Sequence, residues 1–244
     1  MKKLRYLLKN PLSSLAVKAA IFGSFLALVK IGDFGLAPIL FFLLSAGFLY
    51  SQPIFNSFAL LSSFGVLTVL SLIGAKTIDG LFIFVIADIF FSFLFYLILG
   101  LKNLAFISRG QWYSALNLFL FYATFVIFFL SDRGGYFIPK SLVVFFAAFL
   151  LFREFVKFSA PEFKRRNLIA WVLALVIFEA VWAVSLLPLG FLNSANLMIL
   201  PVFILSDLAS RYVKGSLSRR AILVDVSIFI LLMLTIFIAS KWTV

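Results

Sequence analysis

Cysteine and histidine are both absent from the 244 residues. Without cysteine there are no disulfides, thiolate metal sites or iron–sulfur clusters. Without histidine, the zinc-protease helix, His-ligated haem and nucleophiles activated by imidazole drop out as well. Charge is scarce: Asp, Glu, Lys and Arg make up 12% of the chain, and only 9 residues are acidic. A water-soluble domain carries about a quarter of its residues as charges. No glycine-rich phosphate loop or G-x-S-x-G elbow occurs, and Gly32-Asp33-Phe34-Gly35 reads as a short turn with nothing else of a kinase around it. No residue set calls for a metal or a cofactor, and no catalytic set is legible.

What the chain does have is apolar. Hydrophobic residues make up 64%, and phenylalanine alone occurs 34 times, which excludes disorder. The expected fold class is all-α: a polytopic integral membrane helix bundle, one transmembrane domain over residues 1–244. Apolar runs of spanning length fall at 15–31, 36–51, 54–75, 80–101, 112–131, 136–152, 168–188, 194–212 and 221–240, which predicts about nine transmembrane helices. No loop between them is long enough to fold separately.

Charge then sets the orientation. The basic stretch before the first run resembles the start of a signal peptide. A cut after Ala37 would leave Pro38 first, however, and eight more apolar runs follow. We therefore expect a retained first helix acting as a signal anchor. With the amino terminus cytoplasmic and the carboxyl terminus outside, 16 of the 21 basic residues fall in inner segments, the bias that membrane insertion favours. The net charge of +12 is thus read as contact with anionic lipid headgroups on the cytoplasmic side of the cell membrane, not with nucleic acid. Residues 1–9 and 153–166 mix basic and apolar side chains, as interfacial helices do. A membrane or cytoplasmic protein partner is the other occupant such surfaces could take.

Small residues mark one packing face. Ala19, Gly23 and Ala27 recur one turn apart on the first helix, beside Ala16, Ala20 and Ser24, as close helix pairs in lipid favour. Six of the seven prolines lie at run ends or in loops; Pro201, inside the eighth run, predicts a kink.

An ionisable side chain inside hydrocarbon needs a partner, a water-filled cavity or a role. Glu179 lies deepest, mid-way along the seventh run. Trp182 is three residues on, with an indole N–H that could serve the carboxyl. Asp88, in the fourth run, starts a polar stripe with Ser92 and Tyr96. The two acids are expected at similar depth, either as a proton-, cation- or solute-binding site or as neutral groups pinning helices together. Asn193, Ser194 and Asn196 read as a turn and helix N-cap, or with Pro201 as a broken-helix substrate site. Asp207, Arg211, Arg219, Arg220 and Asp225 are expected to form a cytoplasmic charge cluster.

The function expected from these residues is a small-solute or ion carrier, or the membrane subunit of one, with an intramembrane carboxylate site. The alternative is a non-catalytic scaffold or assembly factor. A membrane-lipid-modifying enzyme is third, because the usual catalytic sets are missing.

Overall fold

The computed structural model describes residues 11–52, 60–131 and 137–239. The basic segment 1–9, the start of the third apolar run, and Arg133 and Lys241, which the expected topology puts on the outer side, lie outside them. The described residues form nine helices and no strand: α1 Pro11–Ile31, α2 Leu36–Ser51, α3 Leu61–Thr77, α4 Leu81–Lys102, α5 Arg109–Leu130, α6 Phe137–Ser159, α7 Arg166–Ser185, α8 Phe191–Val213 and α9 Arg219–Ala239. Each overlaps one apolar run. Five contain a stretch long and apolar enough to cross a membrane: α1, α4, α5, α7 and α8. α2 and α3 are apolar but shorter, as is the Ile222–Thr235 stretch of α9. α6 has the length but carries Lys140, Arg153, Glu154 and Lys157.

Local chemistry sets the helix ends. α1 stops in a turn where Asp33 and Phe34 both take positive φ, closed by the Gly32 and Phe34 amides donating to the carbonyls of Leu28 and Val29 at 2.9 and 3.1 Å. Gly80 precedes α4 at φ 104°, a conformation that glycine alone holds without strain. α7 ends at Ser185, three residues before Pro188, and α6 ends just before the Ala160-Pro161 pair, because proline disfavours helical backbone in the residue ahead of it.

Two sequence expectations are corrected here. Residues 153–159 do not lie apart as an interfacial helix. They continue α6 for two more turns, burying Glu154, Phe155 and Val156 while Lys157 stays exposed. Asn193, Ser194 and Asn196 are not a turn and cap either. α8 starts earlier, at Phe191, behind an extended Gly190, and runs unbroken through Pro201. Starting three residues sooner lets the Ser194 amide bond the Gly190 carbonyl at 3.0 Å.

The chain packs as two compact units, Met1–Leu116 and Asn117–Val244, whose boundary falls inside α5 rather than in a linker. In the first unit α1 lies against α2, α3 and α4, with α3 also on α4. Its centre is aromatic: the fully buried rings of Phe22 and Phe95 stack at 4.5 Å, Phe42 tilts onto Phe22 at 5.1 Å, and Tyr50 stacks on Phe64 at 4.2 Å. In the second unit α6 packs on α7, α7 on α8 and α8 on α9. α7 turns Ala170, Ala174, Ile177 and Val181 inward, all fully buried. Small side chains there let the neighbouring backbones approach closely.

Basic side chains finish the first unit. The last carbonyls of a helix lack intrahelical donors and sit at the negative end of its dipole. Lys30 donates to the carbonyls of Ala75 and Ile78 at 3.0 and 2.9 Å, closing the end of α3. Lys102 donates to the Tyr50 carbonyl and Lys18 to that of Gln52 at 3.3 Å, closing α2. Arg109 donates to the Leu101 carbonyl at 3.2 Å, closing α4. Lys18, Lys30, Lys102 and Arg109 thus act as helix caps.

Candidate functional site

The polar stripe of α4 and the small-residue face of α1 meet. Ala16, Ala19, Ala20, Gly23, Ser24 and Ala27 form one wall of an open groove of about 600 Å³. Asp88, Ser92 and Tyr96 line the other, with Ile89 and Phe93. The two walls fit at a single glycine. A Cβ built on Gly23 would lie 3.1 Å from Asp88 Oδ2 and 3.3 Å from Oδ1, and closer still to the Ser92 hydroxyl. The carboxyl thus rests over bare backbone, where a side chain longer than a single methyl would displace it. The Ser24 hydroxyl, on the same face, is taken up by the Ala20 carbonyl at 2.9 Å.

Asp88 is half-buried, and its Oδ1 is shielded with no hydrogen-bond partner among the described residues. Burying a carboxyl oxygen unpaired is costly. A cation in the groove would reach the same carboxyl through its other oxygen, Oδ2, and relieve that cost. The Ser92 and Tyr96 hydroxyls, one and two turns further along α4, can each donate to or accept from such a guest. Among the described residues no three His, Cys, Asp or Glu side chains converge on one point, so a single-carboxylate site is what the groove offers.

Glu179 is placed differently. It belongs to the second unit and is exposed on α7, with no hydrogen bond or ion pair among the described residues. The expected bond from Trp182 is not made. The indole instead packs edge-on against Phe137 at 5.0 Å and tilts toward Phe178 at 5.9 Å. It lines a separate cavity of about 310 Å³ with Phe128, Phe129, Lys140 and Ser185. Asn193 is half-buried and Asn196 exposed on α8, while the Ser194 hydroxyl between them is buried without a partner among the described residues.

In the basic cluster Arg211 is the hub. Its Nε bonds Asp207 Oδ2 at 2.6 Å, and its Nη2 lies 4.0 Å from Asp225 Oδ1 on the next helix. Arg219 and Arg220 are exposed and form no ion pair with Asp225 among the described residues. α9 is thus tied to α8 by Arg211, not by the arginines at its own start.

No family model, curated protein or solved structure matches the chain. The reading of the site rests on its geometry.

Two ionisable residues were missed at the sequence level. Glu154 is 8% exposed, yet it stands between Arg153 and Phe155 at the end of an apolar run, where a charge looks solvated. Lys102 is 1% exposed, yet it follows an apolar run, where a lysine looks like a loop charge. The available signal was the continuing apolar period around each, Leu101 in one case and Phe155-Val156 in the other.

Proposed function

We propose that the chain is a polytopic membrane protein of nine spans, amino terminus cytoplasmic and carboxyl terminus outside, that carries a small cation or an amine-bearing solute, alone or as the membrane subunit of a carrier. Asp88 is the binding carboxylate, with Ser92 and Tyr96 completing its polar wall. The observation that carries this reading is the shielded, unpartnered Asp88 oxygen at an open groove floored by Gly23. A carboxyl that merely pinned two helices together would be met by a donor from the facing helix. Here the facing helix presents alanine, glycine and Ser24, whose hydroxyl is already donated to the Ala20 carbonyl.

The test is flux. Full-length protein is reconstituted into liposomes holding a pH-sensitive dye, and gradients of sodium, potassium, ammonium and methylamine are applied in turn. At least one gradient should move protons or the cation itself faster than in protein-free liposomes. Identical traces with and without protein for all four would contradict the carrier reading.

The scaffold reading keeps one observation in its favour, the exposed Glu179. An acid in mid-helix that faces away from its own fold calls for a neighbour outside the chain, and a membrane subunit would have one.

A further inference from the structure

We infer that the groove between α1 and α4 takes an organic monocation, an ammonium group with an apolar body up to about 10 Å long, in preference to a metal ion. The inference names the guest of the Asp88 site and rests on the carboxylate reading above.

The chemistry of the walls selects against a metal ion. Such an ion needs several oxygens converging on it. Asp88 and Ser92 do meet at one point, since both crowd the Cβ position of Gly23. Tyr96 lies a further turn along α4, and the Ser24 hydroxyl is turned to the Ala20 carbonyl at 2.9 Å. The rest of the facing wall is alanine and glycine, and among the described residues no cluster of His, Cys, Asp or Glu supplies further ligands. An ammonium group asks for less. Its N–H bonds are met by a carboxylate oxygen and a hydroxyl, the first of them a charge-assisted hydrogen bond.

The shape of the groove selects the rest of the guest. Lys18 on α1 and Lys102 at the end of α4 both reach the end of α2, on the carbonyls of Gln52 and Tyr50. α1 and α4 therefore run antiparallel. From the contact of Asp88 with Gly23, the groove continues to Ala16 on one wall and Tyr96 on the other, seven and eight residues away, or about 10–12 Å of helix. In the opposite direction only Ala27 remains, one turn on. The acid thus stands toward one end of a mostly apolar groove. Ala16 and Ala20 offer single methyls along its length, and beside the polar column of α4 runs a second column, Ile89 and the exposed Phe93. Tyr96 stands at the far end, its ring edge-on to Phe106 at 6.1 Å, and Phe106 stacks on Trp112 at 5.1 Å. Methyls and rings favour an apolar body, and ring faces attract the positive charge of its head. A second positive charge is placed badly there. Ala16 is two residues from Lys18, and Lys102 follows Tyr96 on α4, so the far end of the groove disfavours a linear diamine.

Equilibrium binding tests this. Full-length protein in detergent is dialysed against tritiated phenethylammonium and, in parallel, against radioactive sodium, with protein-free micelles subtracted. Unlabelled methylammonium, sodium and putrescine compete for the phenethylammonium site. Phenethylammonium should bind saturably, and methylammonium should compete on the order of 30-fold more weakly, the worth of burying a phenyl ring. Sodium and putrescine should compete no better than methylammonium, and Asp88→Asn should abolish binding. Phe93→Ala and Ala20→Leu, both at exposed positions, should weaken phenethylammonium about tenfold and leave methylammonium unaltered. Three results would overturn the inference while leaving Asp88 as the binding carboxylate: methylammonium or sodium competing as well as phenethylammonium, both groove variants binding it like wild type, or Asp88-dependent binding of sodium alone. Full binding in Asp88→Asn, or no saturable binding of either labelled cation, would take down the carboxylate reading and the inference together. Asp88-dependent binding of phenethylammonium without flux in the liposomes would contradict the carrier reading alone.

Discussion

Asp88→Asn is expected to lower carrier flux about 100-fold, equivalent to the 2–5 kcal/mol lost when one partner of a desolvated charge pair is removed. The fold should survive the change. Asparagine has the same size, the Asp88 carboxylate makes no hydrogen bond to a described residue that would be lost, and the groove beside it is open. Gly23→Leu should reach the same loss by another route. Its side chain would enter the space now held by the Asp88 carboxyl and the Ser92 hydroxyl, with contacts already at 3.1 Å for the first atom added. Overpacking of this kind costs about 1–3 kcal/mol of stability, so the variant should still purify. Gly23→Ala is the graded control, since Ser92 can rotate away from a single methyl; it should retain most of the flux. Initial rates in the same proteoliposomes, normalised to reconstituted protein, read all three. Undiminished flux in Asp88→Asn would remove Asp88 from the site.

Lys102→Ala is expected to destabilise the first unit by about 2–4 kcal/mol, through loss of a charged hydrogen bond and a buried cation–π contact. Lys102 is 1% exposed, donates to the Tyr50 carbonyl and holds its ammonium 4.4 Å from the centre of the Tyr50 ring. Removing it leaves the end of α2 with one fewer donor in a place water does not reach. Lys102→Met keeps most of the apolar stem and loses only the ammonium, so it should fall between alanine and wild type. Thermal unfolding followed by tryptophan fluorescence in detergent should show the alanine midpoint lowered by roughly 5–15 °C. An unchanged midpoint would mean that Lys18 and the chain around Gln52 cap α2 without it.

Much of the helical architecture could be read from residues alone, because apolar run length is a one-dimensional signal. The run at 36–51 coincides with α2, and that at 80–101 is shifted by one residue from α4. The larger misses have local causes. α6 runs on to Ser159 because Glu154, Phe155 and Val156 face inward while Lys157 faces out, and an apolar window ends where Arg153, Glu154 and Lys157 cluster. α8 starts at Phe191 because Gly190, rather than a polar side chain, stands before its first turn.

The groove was half legible. Its two walls, the alanine–glycine face of α1 and the Asp88-Ser92-Tyr96 stripe of α4, each stand out by spacing. That they face each other is a fact about which helices touch, and nothing in the spacing of either run encodes it. Glu179 teaches the same lesson in reverse. Depth along a helix follows from counting residues, whereas the direction an acid faces follows from packing. Its position between Phe178 and Ala180 gives no hint that Ile177 and Val181 turn inward and leave it outside.

The proposed topology takes the chain across hydrocarbon nine times, and single-cysteine labelling in sealed right-side-out cells or vesicles tests it most directly. A membrane-impermeant maleimide should label cysteines at Asp33, Asp79 and Gly190 from outside. Cysteines at Ser108, Glu162 and Gly215 should stay unlabelled until the membrane is opened. Labelling of both sets from the same side, or equal labelling of all six before opening, would contradict the topology and with it the membrane setting of the Asp88 groove.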